Sequence, residues 1–190
     1  MTNPQNRFII SVMSRDRVGI VYDISSAISQ IHGDIADIRQ SVLRGYFTMI
    51  LYVSFPAGVS INHIKQMLAA LDSASATPLE ISVKQVTEPD DLPIAAPPEQ
   101  TYVLTASGKD RIGFVAGVSQ FCAENNINIL DLSTTVANDL YIMILLVDLS
   151  RCASIDEIRR NLHSFNQATG LQVVLQHYDI FKATNEIKMR

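Results

Sequence analysis

The sequence predicts an α+β protein made of two copies of one β-α-β-β-α-β unit, and three observations carry that expectation. Sliding the chain on itself by 94 positions matches residues 8–72 to residues 102–166 without a gap, and 16 of the 65 pairs are identical. Each copy passes in the same order between apolar runs of strand length and apolar residues at helical spacing. Between the copies, residues 87–101 hold Glu88, Asp90, Asp91 and Glu99 with no base, together with Pro89, Pro93, Pro97 and Pro98. Proline withholds a backbone donor and resists helix, so this stretch reads as a stiff, solvated linker. The expected domains are therefore 1–86, a linker over 87–101, and 102–190 with a C-terminal tail.

The elements follow in order. Phe8–Met13 and Tyr102–Ala106 are short and rich in β-branched or aromatic residues, which suits buried strands. Val21, Ile24, Ile28 and Ile31 then form one helical stripe, matched more weakly by Val115, Val118 and Cys122 up to Asn125. Ile35–Leu43 and Ile129–Ala137 read as second strands. The turn pairs Arg44-Gly45 and Asn138-Asp139 lead into strongly apolar third strands, Phe47–Val53 and Tyr141–Val147. A second helix carries Ile61, Ile64, Leu68 and Leu71, repeated as Ile155, Ile158, Leu162 and Phe165. Ser154 with Glu157 forms a capping box, whereas Ser60 is followed by His63 and can cap only one way. Alternation at Leu79, Ile81, Val83 and at Leu171, Val173, Leu175 gives a last strand with one buried face. This order is that of the ferredoxin-like sandwich: two helices on one face of a four-stranded antiparallel sheet, with the first and third strands central.

Composition removes several function classes. The net charge of −4 is the charge of the linker alone, and no section is basic enough to neutralise a run of phosphates. Direct binding of nucleic acid is not expected. The longest apolar run, Leu140–Val147, is far short of a membrane span, and the first residues lack a secretory signal's apolar core. A cytoplasmic protein without membrane contact is expected. Cys122 and Cys152 make neither a disulfide framework nor a metal pair. His32, His63, His163 and His177 share no metal-ligand spacing with one another or with Cys, Asp or Glu. No phosphate-binding or dinucleotide glycine pattern occurs, and Ser14–Gly19 lacks the Gly-rich, Arg-ending loop of an acylphosphatase. No catalytic residue, metal or cofactor is expected.

One polar loop is repeated in both copies: Asp16, Arg17, Val18, Gly19 and Asp110, Arg111, Ile112, Gly113, where the first strand hands over to the first helix. Helix-start amides favour a carboxylate or phosphate there. Arginine offers a planar fork to a carboxylate, and glycine lets a ligand or backbone approach. A purely structural reading instead assigns Asp to capping, Gly to helix–sheet packing and Arg to solvent.

These residues, with Asn126-Ile127-Asn128-Ile129-Leu130-Asp131 and Gly45-Tyr46-Phe47-Thr48-Met49-Ile50, resemble ACT domains, small-molecule-sensing modules of amino-acid metabolism. Two such units and little else make the chain similar to the glycine cleavage system transcriptional repressor group. The resemblance implies that ACT units pair and hold a small amino acid, such as glycine or serine, between the first strand–helix loop and a facing second strand. On it, Asp16, Arg17, Val18, Gly19, Asp110, Arg111, Ile112 and Gly113 line the ligand loops. Asn128 and Asp131 are the polar partners, with Asp131 facing an α-ammonium group and Asp37 as its counterpart. Two departures stand out. Val18 and Ile112 replace a proline common in relatives, and His32 and Asn126 replace a glycine, so that Gly33 is expected to take the left-handed turn one residue late. The function implied is a non-catalytic regulator acting through a protein partner, a transcription activator if the group likeness extends that far. The alternative is a stand-alone protein-interaction module without a small ligand. The apolar third strands call for cover from the other half and from a homodimer.

Overall fold

A computed structural model describes residues 5–71, 78–87, 98–137 and 139–185. The chain divides into two compact units, Met1–Asp91 and Leu92–Arg190. The first contains strand β1 (Gln5–Arg15), helix α1 (Ile20–Gln30), β2 (Asp34–Leu43), β3 (Tyr46–Pro56), α2 (Ile61–Ala69) and β4 (Glu80–Val86). The second contains β5 (Thr101–Lys109), α3 (Phe114–Glu124), β6 (Asn128–Ala137), β7 (Leu140–Asp148), α4 (Ile155–Thr169), β8 (Gln172–His177) and α5 (Tyr178–Asn185). Each unit is a four-stranded antiparallel sheet, in the orders β2-β3-β1-β4 and β6-β7-β5-β8. The ferredoxin-like sandwich is thus present twice, with the first and third strands central.

Strand alternation builds each core. Phe8, Ile10 and Val12 of β1 face inward with Phe47, Met49, Leu51, Val53 and Phe55 of β3. In the second unit Leu104 and Ala106 join Met143, Leu145 and Val147. Fully burying such a side chain contributes about 1.5–3 kcal/mol, so these stripes dominate the stability of each sandwich. The first helices seal the cores along the expected stripe, at Ile24, Ile28, Val118 and Cys122, except at its opening residue. Ile20, Ile24, Ala27 and Ile28 are buried in α1, and Phe114, Val118, Phe121 and Cys122 in α3, whereas Val21 and Val115 are exposed. Ile20 and Phe114, directly after Gly19 and Gly113, open the stripe in place of Val21 and Val115. In the second helices Ile64, Leu68, Ile158 and Leu162 are buried as the spacing predicts. Ser60 accepts from the His63 amide at 3.2 Å and Ser154 from the Glu157 amide at 3.1 Å, capping α2 and α4.

Two local expectations need correction. His32 itself adopts the left-handed conformation, at φ 58°, as Asn126 does at φ 54°, so the first loop is not displaced by a residue. Gly33 is required for space: a Cβ there would lie 2.4 Å from the Phe55 ring and 2.6 Å from Ile28. Residues 178–185, expected as tail, form α5, which packs on β5 and β8. On the sheet face turned from the core, Thr101 and Val103 of β5 are buried. The linker's residues 88–97, the turn residue Asn138 and the end of the repeat at Asp72 lie outside the described residues. Among those described, no helix is long and apolar enough to cross a membrane.

Candidate functional site

The two repeated loops share one backbone. Gly19 and Gly113 are the N-caps of α1 and α3, at φ 87° and 88°, and neither helix has a side-chain cap. Asp16 and Asp110 therefore do not cap, contrary to the structural reading of the motif. Nor does either glycine pack helix on sheet: a Cβ at Gly113 would meet nothing within 4 Å, and at Gly19 only the Arg17 guanidinium at 4.0 Å. Glycine is needed because the left-handed conformation is strained for any residue with a Cβ. The first loop is tied to the neighbouring hairpin by the Asp16 amide, which donates to the Gly45 carbonyl at 3.0 Å. Val18 and Ile112 stand fully exposed at the two loop tips.

The arginines depart from this likeness. Arg17 is held by Asp23, in the first turn of α1, with Nη2 2.7 Å from the carboxylate, and its Nη1 reaches the Val18 carbonyl at 3.4 Å. The residue aligned with Asp23 is Gly117. Arg111 accordingly has no acid there and donates to the Thr169 carbonyl, in the last turn of α4, at 3.2 Å. Beside this second loop lies a surface cavity of about 490 Å³ lined by Asp110, Arg111, Gly113, Phe114, Val115, Ala116 and Tyr141. Phe114 and Tyr141 meet edge to face there, with ring centroids 5.0 Å apart. Asp23, Phe114 and Tyr141 were not singled out from the sequence. The Asp23/Gly117 mismatch inside an otherwise aligned helix start was the available signal.

The second-strand acids lie at the other end of each unit. Asp37 pairs with Tyr52, which pairs with Ile9, six residues before the end of β1 at Arg15. Asp131 pairs with Leu146, which pairs with Val103, six residues before Lys109, and Asn128 lies still further from the loop. At about 3.3 Å per residue, some ~20 Å of strand separates each acid from its own unit's loop. Each acid follows a bulge in its edge strand and accepts from the next amide, Asp37 from Ile38 at 2.8 Å and Asp131 from Leu132 at 2.9 Å. One unit alone does not assemble the expected set. The edge strands β2 and β6 are exposed along nearly their whole length, with Ile38, Val42, Leu43, Leu130, Leu132 and Val136 among their exposed residues.

Burial pushes the Cys122 thiol up to about 11, reinforced by nearby Cys152, and burial followed by the charge of Asp148 raises Cys152. Neither is an activated thiolate. Among the described residues no three His, Cys, Asp or Glu side chains gather as metal ligands.

The ACT domain family matches residues 6–84 and 100–176, one match on each sandwich. The chain belongs to the ACT domain family. A UPF0237 protein of Methanocaldococcus jannaschii is 45% identical over 87 residues, which are 45% of this chain and 96% of that relative. A UPF0237 protein of Methanopyrus kandleri is 42% identical over 86 residues, again 45% and 96% of the two chains. These relatives are thus about one ACT unit long. Among solved structures, an uncharacterised protein of Galdieria sulphuraria has a TM-score of 0.71 at 26% identity, covering 91% of this chain and 98% of that one. A candidate glycine cleavage system transcriptional repressor shares the tandem ACT fold at a TM-score of 0.70 and 17% identity, covering 90% and 96%.

Proposed function

We propose that this tandem ACT protein is a non-catalytic, cytoplasmic regulator that binds a small amino acid, glycine or serine or one similar, where two ACT units meet. The observation that carries this reading is the separation within each unit between the helix-start loop and the second-strand acid, joined only by an exposed edge strand. Two units set edge to edge and antiparallel bring the loop of one beside the acid of the other. Loop amides and arginine then face a carboxylate, while Asp37 or Asp131 faces an α-ammonium group. A ligand held by the paired arrangement favours it over the unpaired one, and a coupling of about 1–3 kcal/mol is enough to switch a protein partner. A transcription activator is the partner that the tandem architecture suggests, and a homodimer is the assembly that covers the remaining edge.

Thermal unfolding of the whole chain with each common amino acid at millimolar concentration tests this. A specific ligand raises the midpoint in a dose-dependent way, since its contribution grows with the logarithm of concentration over Kd. The Arg111→Ala protein is expected to lose most of that rise. Identical midpoints with every amino acid would leave the second reading, an interaction module without ligand, which the apolar residues on β2 and β6 favour.

A further inference from the structure

The two loops match at their glycine N-caps, at φ 87° and 88°, and differ in one charge, Asp23 against Gly117. A helix start carries a partial positive charge from its unpaired amides, and a carboxylate in the first turn neutralises it. Asp23 supplies that carboxylate to α1, and the same side chain takes the Arg17 guanidinium at 2.7 Å. Helix α3 has no acid in its first turn. Arg111 bonds a neutral carbonyl, and among the described residues no carboxylate pairs with it. The second loop therefore keeps its helix-start field and an arginine without an acid partner, beside a cavity that Asp110, Phe114 and Tyr141 also line; Asp110 has its aligned counterpart in Asp16, so the difference between the loops rests on Asp23.

Resting on the amino-acid reading above, we propose that the two repeated loops are not equivalent: the loop at Arg111 takes the ligand carboxylate, and Asp23 occupies the equivalent place in the loop at Arg17. Asp23 is then a specificity-determining residue, an internal carboxylate standing where the ligand's would sit. Each chain holds one amino acid by this account, although the sequence is repeated twice.

Isothermal titration of the full-length protein with glycine and with L-serine tests the assignment in both directions. The wild-type chain is expected to bind one ligand per chain. Gly117→Asp places an acid at the aligned position of α3, where an added Cβ meets nothing within 4 Å. It is expected to weaken binding about tenfold or more, as loss of a charge-assisted pair does, while Gly117→Ala keeps it. Asp23→Ala is expected to raise the stoichiometry towards two. Circular dichroism of each variant separates lost binding from lost fold, and a Gly117→Asp chain that does not fold leaves the Asp23→Ala count as the deciding result. Two equal sites in the wild type, or a folded Gly117→Asp chain with wild-type affinity, would overturn the assignment while sparing the amino-acid reading. No heat from either amino acid in any variant would overturn both.

Discussion

The first and second units share one sheet topology and fill aligned positions of it with different side chains. In the first unit Gly33 leaves room that the Phe55 ring fills, and Phe55 is completely buried. The aligned positions in the second unit are Ile127 and Leu149, both buried. A small-plus-large pair in one unit stands against two middle-sized side chains in the other, so each aligned position meets different partners. Charge differs as well: Asp23 with Arg17 in one unit stands against Gly117 with Arg111 in the other. Duplicated units keep the topology of the sandwich and let individual positions drift, so a residue's role transfers between copies only together with its neighbours.

The largest perturbation to that comparison comes from the cores. Ile10 and Leu104 occupy aligned positions and are completely buried. Replacing either by Ala should cost about 2–5 kcal/mol. Calorimetry on the two variants is expected to move a different transition in each, and one shared transition moving identically would show that the units unfold as a single block. A smaller and more diagnostic effect is expected at Gly33. Gly33→Ala crowds Phe55 and Ile28 and should destabilise the first unit by about 1–3 kcal/mol. Adding Phe55→Leu should recover much of that loss, and a double variant no better than the single one would refute crowding against Phe55 as the cause.

The smallest effect is a pH dependence confined to the second unit, which holds both cysteines. The Cys122 thiol is raised from 9.0 to about 11 in the folded chain, so the folded state favours the protonated form. Its contribution is fully present below pH 9 and declines as pH rises through 9 towards 11, because the unfolded thiol ionises first. Denaturant midpoints of the second unit should therefore fall across that window, and the Cys122→Ala variant should show a shallower fall.

Much of the architecture is legible in the residues because duplication doubles every pattern. Strand alternation at Phe8, Ile10 and Val12, and the caps Ser60 and Ser154, are local effects that adjacent residues determine. In the first helices only the opening residue is not legible, because Val21 and Ile20 both fit the period with Ile24 and Ile28, and the left-handed Gly19 decides where the helix begins. His32 shows a second limit: it takes the left-handed turn itself, at φ 58°, while Gly33 is fixed by the space that Phe55 and Ile28 leave, a tertiary requirement that the local sequence does not display. The candidate site is legible as a loop and not as a set. Arg17 looks the same as Arg111 until Asp23 is placed beside it, and the distance from each loop to Asp37 or Asp131 depends on strand register that motif spacing does not contain.

The irregularity at Ala36 in β2 and at Leu130 in β6 has a consequence for assembly. An unbroken edge accepts any neighbour at any two-residue offset, which is how fibrils recruit chains. A strand interrupted by one surplus residue has lost that translational freedom, since ladder bonds on either side of the kink no longer fall into a common repeat. Each unit carries its notch about a third of the way along, beside its acid, so an incoming edge finds long continuous pairing only on the far side of it. Fidelity of union is in this way written into the backbone, ahead of any side-chain recognition.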